Sequence, residues 1–395
     1  MPAIAVIADD LTGAADTGVQ LVRAGYRTAV FFRPSEGPDD LDAVSFDTDS
    51  RAMPAGFAAK RVLEAAHVAR EARVVYKKLD STLRGNVAAE LAAALGAARR
   101  DLAVVAPAFP TAGRTTVGGT QLVNGVPVDE TEMRKDPSTP VREANVPTLL
   151  SDAFSSVGTL SAEDLAHPER VRRALEDYEC VVADAERDED LEALVRAVPD
   201  PALVLWAGSA GLALALGRVY PGPHAGEADA PSTPVSPVLV VIGSLSGVAR
   251  EQLRQLVAEY GEVAVPVGTG GAGALESTVA AVREALAGRA CAVVHSPEER
   301  SKDPVLGPLA EVAARLSEEE LFGGLVLTGG DTAVRVARRL GASGIRLGGE
   351  VEAGVPVGTL IGPGPYPVVT KAGGFGGPDT LVGAVEALCA EERKP

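Results

Sequence analysis

The chain has 395 residues and a formal net charge of -17, with 54 acidic side chains against 37 basic ones. We expect no nucleic acid and no membrane as partner, because both of these polyanionic surfaces attract basic proteins. The length allows two domains, and the low aromatic content of 4% indicates cores built from small and branched aliphatic side chains.

Cysteine usage and hydropathy bear on where the protein resides. Cys180, Cys291 and Cys389 are far apart in the sequence, so neither a disulfide framework nor a zinc site is indicated. Asp9 and Asp10 interrupt the only early apolar run, and no later apolar stretch approaches the length of a membrane span. We therefore expect a cytoplasmic protein.

The first predicted strands end in charged residues. A strand from Ile4 to Ala8 leads into Asp9 and Asp10, and a short strand from Ala43 to Phe46 leads to Arg51. Open α/β sheets bind ligands at the carboxyl ends of their parallel strands, which favours a ligand site here. The alternative is structural: one aspartate caps the following helix and the arginine is an ordinary surface residue.

The stretch from Tyr76 to Asn86 is predicted to be a polar turn between a strand and an alanine-rich helix. It contains three cations and two hydroxyl groups, from Lys77, Lys78, Ser81, Thr82 and Arg84. Such donors, together with the free N–H groups of a helix start, predict an anion-binding turn. A solvated turn with an ordinary helix cap is the alternative.

The middle of the chain contains two less regular stretches. A polar, glycine-containing loop follows the predicted strand from Leu102 to Ala106, and an irregular passage continues to about Ser161; it is either a binding loop or a surface excursion. The α/β alternation then returns. Residues 221–237 contain five prolines and predict a linker between a domain at 1–220 and a second domain at 238–395.

In the second domain, three predicted strands end in small polar or glycine-rich loops. These loops contain Ser244, the segment from Gly329 to Thr332, and the glycines at 373–377. Glycine lets a backbone approach phosphate closely, and helix starts offer unpaired N–H groups. The last strands follow one another without helices, so the fold class predicted is α/β: two mostly parallel sheets flanked by helices, with antiparallel strands near the C-terminus.

Other nucleotide and catalytic motifs are weaker. The chain has no Gly-Lys dipeptide, which excludes the usual P-loop. Gly268, Gly270 and Gly273 match the dinucleotide pattern, but the next strand lacks the acidic residue that would hold a ribose. A dinucleotide-dependent oxidoreductase therefore stays a minor alternative. The four histidines show no spacing typical of a metal site or a hydrolase triad.

Five motifs, in order along nearly the whole chain, resemble the four-carbon acid sugar kinase family. They are Ile-Ala-Asp-Asp-Leu-Thr-Gly-Ala at 7–14, Lys-Lys-Leu-Asp-Ser-Thr-Leu-Arg-Gly at 77–85, Gly-Ser-Leu-Ser at 243–246, Gly-Gly-Asp-Thr at 329–332 and Thr-Lys-Ala-Gly-Gly-Phe-Gly at 370–376. The resemblance implies an amino-terminal sugar-acid domain and a carboxyl-terminal ATP domain. It also implies phosphoryl transfer to the terminal hydroxyl of threonate, erythronate or a 3-oxo-tetronate, with ATP and Mg²⁺ as cofactors.

The resemblance assigns roles to particular residues. Catalytic roles fall on Asp9, Asp10 and Arg84. Substrate binding falls on Arg51, Asp80, Ser81, Thr82, Leu83 and Arg84, and nucleotide binding on Ser244, Gly329, Gly330, Asp331, Thr332, Gly373 and Gly374. Asp331 stands where the family more often has Glu, and Ala372 where it often has Ser. Protein ligands for a metal stay open.

A mechanism follows from these assignments. Arg84 and Arg51 would bind the substrate carboxylate, and Asp9 or Asp10, or less readily Asp80, would accept the proton of the attacking hydroxyl. Lys371 and backbone N–H groups would offset charge on the transferred group, with domain closure about the linker. Three questions stay open: a different small hydroxy acid as substrate, a non-catalytic two-domain ligand-binding protein, and assembly as a homodimer.

Overall fold

The computed structural model describes residues 2–35, 38–226, 234–297, 305–362 and 364–389. The chain divides into two compact units, Met1–Glu227 and Ala228–Pro395. Of the predicted linker, residues 227–233 lie outside the described residues. Among the helices of the described ranges, none combines the length and the apolar character needed to cross a membrane.

The first unit is built around a parallel sheet. Its strands are β1 (Ile4–Ala8), β2 (Thr28–Phe31), β3 (Ala43–Asp47), β4 (Val74–Lys78), β5 (Leu102–Ala106), β9 (Val157–Leu160), β10 (Cys180–Ala183) and β11 (Val204–Gly208), while β6 (Arg114–Val117), β7 (Thr120–Val123) and β8 (Val126–Pro127) form a separate antiparallel sheet. The parallel sheet has the order β2-β3-β1-β4-β11-β5-β10-β9. Because both faces are covered, strands such as β1 and β5 are continuous apolar runs rather than alternating ones.

Helices connect these strands. They are α1 (Leu11–Arg23), α2 (Ala55–Ala69), α3 (Val87–Ala98), α4 (Val146–Leu150), α5 (Pro168–Asp177), α6 (Asp188–Ala197) and α7 (Ala210–Val219), with short 3₁₀ helices at Pro110–Ala112, Val128–Glu130, Glu132–Lys135 and Asp164–Ala166. The core between helices and sheet includes Tyr76 and Trp206, which are among the largest fully buried side chains. Each large apolar side chain buried in this way stabilises the fold by about 1.5–3 kcal/mol.

The second unit has a mixed sheet. Its strands are β12 (Val238–Ile242), β13 (Ala264–Pro266), β14 (Cys291–His295), β15 (Gly324–Thr328), β16 (Gly344–Glu352), β17 (Val355–Ile361) and β18 (Pro367–Lys371), in the order β13-β14-β12-β15-β18-β17-β16. The strands from β13 to β18 in this order pair in parallel, whereas β17 pairs antiparallel with both β16 and β18. The helices are α8 (Gly247–Tyr260), α9 (Ala272–Leu286), α10 (Leu306–Glu318), α11 (Gly330–Arg339) and α12 (Thr380–Cys389).

Each parallel region has a point where two neighbouring strands lead off in opposite directions along the sheet. In the first unit it lies between β1, which leads to β2 on one side, and β4, which leads to β5 on the other. In the second unit it lies between β12 and β15. Crevices at such points, outside the carboxyl ends of the strands, are where open α/β sheets bind ligands. The predicted fold class is confirmed, including the antiparallel strands near the C-terminus.

Candidate active site

The carboxyl ends of β1, β3 and β4 lie together at one edge of the first unit's sheet. Asp9 and Asp10 follow β1, Arg51 lies in the turn after β3, and Asp80 follows β4. Because β1 pairs in parallel with both β3 and β4, these strand ends are neighbours. The side chains that the sequence placed at separate strand ends therefore meet in one cluster, at the point where β1 and β4 lead off in opposite directions.

Arg51 links the two aspartates. Its Nε and Nη2 donate hydrogen bonds of 2.9 Å each to the Oδ2 and Oδ1 of Asp9, and its Nη1 donates one of 2.6 Å to Oδ2 of Asp10. Paired hydrogen bonds between a guanidinium and a carboxylate are among the strongest in proteins and fix the orientation of both groups. One edge of the Arg51 guanidinium is thus taken up by Asp9.

The two aspartates differ in exposure. The side chain of Asp9 is 4% exposed, whereas that of Asp10 is 29% exposed. Asp10 is also the N-cap of α1, because its Oδ1 accepts a hydrogen bond of 2.8 Å from the backbone N–H of Gly13. Asp10 is therefore the carboxylate of the pair that a ligand can reach. It is held by the guanidinium of Arg51 and by the backbone N–H of Gly13.

Their pKa values are shifted in opposite directions. Burial raises the pKa of Asp9, but the charges of Arg51, Lys77 and Lys78 outweigh burial, so the pKa lies below its ordinary value. Burial also raises the pKa of Asp10; Arg51 lowers it and the nearby Asp9 charge raises it again, and the pKa ends above its ordinary value. Neighbouring carboxyl groups with pKa values pushed apart are typical of acid–base sites.

The turn after β4 is held by its own side chains. Oδ2 of Asp80 accepts hydrogen bonds of 2.6 Å from Nε of Arg84 and 2.6 Å from Oγ1 of Thr82. Leu83 is buried, and its φ of 59° puts it in the left-handed region, where a non-glycine residue is strained. Burial raises the pKa of Asp80, but Arg51 and Arg84 outweigh burial and hold it well below its usual range.

Gly85 closes this turn against the aspartates. Its φ is +95°, and a Cβ there would lie 2.9 Å from Oδ2 of Asp9. A side chain at this position would therefore push the turn away from the aspartate cluster. Glycine is required both by the backbone conformation and by the close approach.

The two lysines of the turn do not lie as predicted. β4 extends to Lys78, two residues beyond the predicted end, and both lysine side chains are buried. Nζ of Lys77 lies 2.9 Å from Oε2 of Glu90, so this charge is paired inside the protein instead of facing a ligand. Nζ of Lys78 donates to the carbonyl of Leu79 at 2.8 Å. Of the three predicted cations, Arg84 is the one whose side chain is substantially exposed, at 31%.

Two residues beside this turn were missed in the sequence. Gln121, on β7, is fully buried and its Nε2 donates 2.8 Å to the carbonyl of Ser81. Asp136 lies in the irregular passage, with its Oδ2 3.7 Å from Nη1 of Arg84. No local signal in the sequence marks the partner of Gln121. The small antiparallel sheet and the irregular passage therefore contribute side chains to the surroundings of Arg84.

The second unit brings three glycine-rich strand ends together. A Cβ on Gly373 would lie 2.0 Å from Oγ of Ser244, and a Cβ on Gly243 would lie 2.0 Å from Oγ1 of Thr332. Oγ of Ser246 donates 2.6 Å to the carbonyl of Gly373. The loops after β12, β15 and β18 are thus in contact, so Ser244, Thr332 and Gly373 lie in one cluster.

Helix α11 starts at this cluster. Its N-cap is Gly329, with a φ of 100°, which offers no side chain to cap the first turn. Uncapped N–H groups at a helix start, together with the helix dipole, favour phosphate. Gly330 and Asp331 belong to this first turn, and Asp331 is exposed. Gly374, next to the cluster, has open space where a Cβ would lie.

Lys371 and Gln252 border the glycines at 373–377. Burial lowers the pKa of Lys371 to about 8, although the charge of Glu352 works against this. Gln252, fully buried on α8, donates through Nε2 to the carbonyls of Phe375 at 2.9 Å and Gly377 at 2.8 Å. Gln252 was missed in the sequence, although it lies on the buried face of α8 with Ala249, Leu253 and Leu256. A glutamine on an apolar helix face needs a polar partner.

The Gly268–Gly273 motif lies elsewhere in the second unit. It follows β13, the edge strand, which is separated from β12 by β14. The N–H of Gly268 donates 3.0 Å to Oγ1 of Thr278, an ordinary contact within the loop and α9. Among the residues that the structure describes, no group of three or more His, Cys, Asp or Glu side chains is arranged to hold a metal ion.

Two family models match the chain. A sugar-binding N-terminal domain matches residues 4–216, and a nucleotide-binding C-terminal domain matches residues 239–381. The first match contains the aspartate and arginine cluster, and the second contains the three glycine-rich strand ends. The predicted sugar-acid and nucleotide residues thus fall in the domains with the corresponding descriptions.

Proteins of similar sequence include several named kinases. A D-threonate kinase from Salmonella typhimurium is 38% identical, covering 96% of this chain and 97% of the relative. A D-erythronate kinase from Heliobacterium modesticaldum is 33% identical, with coverages of 98% and 97%. A 3-oxo-tetronate kinase from Methylobacterium radiotolerans is 32% identical, with coverages of 98% and 99%. The chain belongs to the four-carbon acid sugar kinase family, as its motifs predicted.

Solved structures of other proteins are similar to this chain. A Haemophilus influenzae protein has a TM-score of 0.78 at 24% identity, covering 97% of this chain and all of its own, which shows the shared fold. A Bordetella bronchiseptica protein is 38% identical with a TM-score of 0.52 and covers 98% of each chain. That structure is described as a domain-swapped dimer with bound citrate.

Proposed function

We propose that this kinase transfers the γ-phosphoryl group of ATP to the terminal hydroxyl of a four-carbon sugar acid and so forms the 4-phosphate. The acid is threonate, erythronate or a 3-oxo-tetronate, the substrates for which its relatives are named. The observation that carries the proposal is the partly exposed Asp10, held between Arg51 and the start of α1 inside the sugar-binding domain.

Arg84 is the residue we assign to the substrate carboxylate. Its Nε is held by Asp80, while its guanidinium is the more exposed of the two arginines in the cluster, at 31% against 18% for Arg51. A guanidinium that is held at Nε and still partly exposed suits a carboxylate. The hydroxyls of Ser81 and Thr82 are in the same turn and would bind hydroxyl groups of the acid. Arg51, already engaged by Asp9, contributes mainly by holding the aspartates.

Asp10 is the residue we assign as the proton acceptor. It is the reachable carboxylate, and its raised pKa favours proton uptake more than the lowered pKa of Asp9 does. Asp10 would accept a hydrogen bond from the attacking hydroxyl, orient its oxygen and take its proton as the new O–P bond forms. Asp9 stays ionised and keeps Arg51 in place. Phosphoryl transfer depends chiefly on such positioning and on charge stabilisation.

The glycine cluster of the second unit suits the ATP phosphates. Ser244, Gly329 to Thr332, and Gly373 to Gly374 combine close backbone approach, hydroxyl groups and uncapped N–H groups, and Lys371 supplies positive charge. When bound, Mg²⁺ neutralises charge on the phosphates, and it needs only one or two protein carboxylates. The exposed Asp331 is the residue that would hold it.

The cellular setting follows from the reaction. We propose that the enzyme works in the cytoplasm, where ATP is available as phosphoryl donor, with the sugar acid as its small-molecule partner. We further propose a homodimer, on the strength of the Bordetella relative that is described as a domain-swapped dimer. Light scattering on the purified protein measures the molar mass and tests this assembly directly.

A kinase of another small hydroxy acid is the second candidate. It is favoured by Asp136, which lies 3.7 Å from Arg84 in the irregular passage and alters the charge around the proposed carboxylate site. A negative side chain there weakens the attraction of Arg84 for some acids more than for others. The non-catalytic alternative has no comparable observation in its favour.

The test is ADP release, measured with ATP and Mg²⁺ over a panel of the threonate, erythronate and 3-oxo-tetronate isomers beside other aldonates and hydroxy acids. We expect turnover with at least one tetronate, at a kcat/KM well above that of any longer or shorter acid. Turnover with a non-tetronate alone supports the second candidate. If no acid leads to ADP release although ATP and the acid both bind, the non-catalytic alternative is supported.

A further inference from the structure

A buried ion pair lies behind the aspartate cluster. Nζ of Lys77, on β4, is 2.9 Å from Oε2 of Glu90, on α3, and the two side chains are 1% and 2% exposed. Charges this deeply buried are retained only where both are paired, because an unpaired one is strongly destabilising. Glu90 lies on the buried face of α3 with Val87, Leu91 and Ala94, so its carboxylate points into the protein.

The other oxygen of Glu90 reaches the turn that carries Arg51. Oγ of Ser50 donates a hydrogen bond of 2.7 Å to Oε1 of Glu90, and Ser50 is fully buried. The backbone N–H of Ser50 donates 2.9 Å to the carbonyl of Asp9. Oγ1 of Thr48, 2.8 Å from Oγ of Ser50, donates 2.8 Å to the carbonyl of Ala8. Glu90 therefore joins the ends of β1, β3 and β4.

This network fixes the residue next to Ser50. Arg51 follows directly, and its guanidinium contacts Asp9 and Asp10 at 2.6–2.9 Å. A buried network in which each polar group is satisfied is rigid, and losing one member leaves the others with no alternative partner. A displacement of about 1 Å at a reacting group costs on the order of 10²-fold in rate.

We propose that Glu90 is a positioning residue: by accepting the Ser50 hydroxyl it fixes the turn at 48–51, and so holds Arg51 where it orients Asp9 and Asp10. This inference rests on the proposed function for its effect on turnover. Its geometric part is independent of any substrate: Arg51 leaves the aspartates when the hydrogen bond between Ser50 and Glu90 is removed.

Ser50→Ala removes the hydrogen bond from Ser50 to Glu90 with little change in side-chain volume. In this variant Glu90 keeps Lys77 as its partner. Ser45→Ala is the matched control: Ser45 is a fully buried serine of β3 whose Oγ donates 3.0 Å to the carbonyl of Ala14 in α1, away from Glu90. Ser45→Ala loses one buried hydrogen bond, whereas Ser50→Ala loses the one to the charged Glu90 and the 2.8 Å contact with Oγ1 of Thr48. Both thermal midpoints should therefore fall, that of Ser50→Ala by more.

The first readout is the split between kcat and KM. For Ser50→Ala we expect kcat to fall about 10- to 100-fold while KM for ATP is unchanged. For Ser45→Ala we expect both constants to stay close to those of the wild type. An unchanged kcat in folded Ser50→Ala overturns the proposal, because the expected effect would be absent. An equal loss of kcat in Ser45→Ala also overturns it, because the effect would then reflect the packing of β3 alone.

The second readout needs no turnover. The charged groups that face Asp10 include Arg51, Asp9, Lys78 and Arg84, and among the cations Arg51 lowers its pKa most. A carboxyl ¹³C NMR titration of Asp10 should show a higher pKa in Ser50→Ala than in the wild type, and no change in Ser45→Ala. An unshifted Asp10 in Ser50→Ala contradicts the positioning role. A shifted Asp10 in a protein that phosphorylates no acid sustains that role and refutes the proposed function instead.

Discussion

Arg51 donates two hydrogen bonds of 2.9 Å to the carboxylate of Asp9, although 41 residues separate them in the sequence. The contact follows from the parallel pairing of β1 with β3, which places the residues after each strand at the same edge of the sheet. It takes up one edge of the arginine and holds Asp9 ionised. In the proposed function, Arg84 is therefore the residue for the substrate carboxylate, and Asp10 is the proton acceptor.

Asp10→Asn tests the assignment of the proton acceptor. Asparagine is also a good N-cap, so α1 should start as before and the variant should fold. We expect kcat to fall about 10²- to 10⁴-fold, with the affinity for the sugar acid retained in calorimetry. Asp9→Asn should differ, because it releases Arg51 and impairs binding as well as turnover. Substantial turnover by Asp10→Asn would mean that another carboxylate accepts the proton.

Gly373→Ala tests the contact between two glycine-rich loops of the second unit. The added Cβ would lie 2.0 Å from Oγ of Ser244, so one of the loops must move. We expect the affinity for ATP to fall at least about tenfold, equivalent to ~1.4 kcal/mol, in a binding titration. Gly273→Ala, in α9 and away from the glycine cluster, is the control, since a Cβ there meets no atom within 4 Å. Equal affinities in the two variants would mean that the loop position does not matter for the nucleotide.

The strand ends were predictable, and the side chains behind them were not. β1 and β12 begin and end where their apolar runs do, and charged or glycine-rich residues directly after such runs mark ligand edges in parallel sheets. Lys77 was read as part of a turn because a lysine is rarely buried. Its burial depends on Glu90, which stands in an alanine-rich helix and gives no local sign of its partner.

Contacts over long sequence separations were missed for the same reason. Ser50 and Glu90 are 40 residues apart, and Gln252 and the carbonyl of Phe375 are 123 residues apart. Periodicity indicates which face of a helix is buried, but it does not indicate which polar group a buried side chain meets. A polar residue at a buried helical position, as at Glu90 and Gln252, is the usable signal.

Gln252→Ala removes two of the hydrogen bonds that hold the loop at 375–377. Each hydrogen bond contributes about 0.5–1.5 kcal/mol, so we expect KM for ATP to rise about tenfold, with KM for the sugar acid unchanged. Gln255→Ala, on the same helix, serves as control because its Nε2 donates to the side chain of Glu251, at 3.0 Å, within α8. A rise in KM for the acid as large as that for ATP would speak against a role confined to the nucleotide loop.

Lys371 should make nucleotide binding sensitive to alkaline pH. Burial lowers its pKa to about 8, so the amine is mostly charged at pH 7 and loses its charge as the pH rises through 8. We expect the affinity of the wild type for ATP to decline over that range. Lys371→Met has no charge to lose, so its affinity should be lower at pH 7 and the two curves should converge near pH 10. If the ATP affinities of the wild type and of Lys371→Met change in parallel from pH 7 to pH 10, Lys371 is not the titrating group.

The position of the phosphate in the product tests the central claim most directly. After incubation with ATP, Mg²⁺ and the best acid of the panel, two-dimensional ¹H–³¹P NMR should show the phosphorus coupled to the protons of the terminal carbon, with one ADP formed per product. Asp10→Asn, binding the same acid, should form this product about 10²- to 10⁴-fold more slowly. Phosphate on another oxygen, or ATP hydrolysed to ADP and free phosphate with the acid unchanged, would contradict the account.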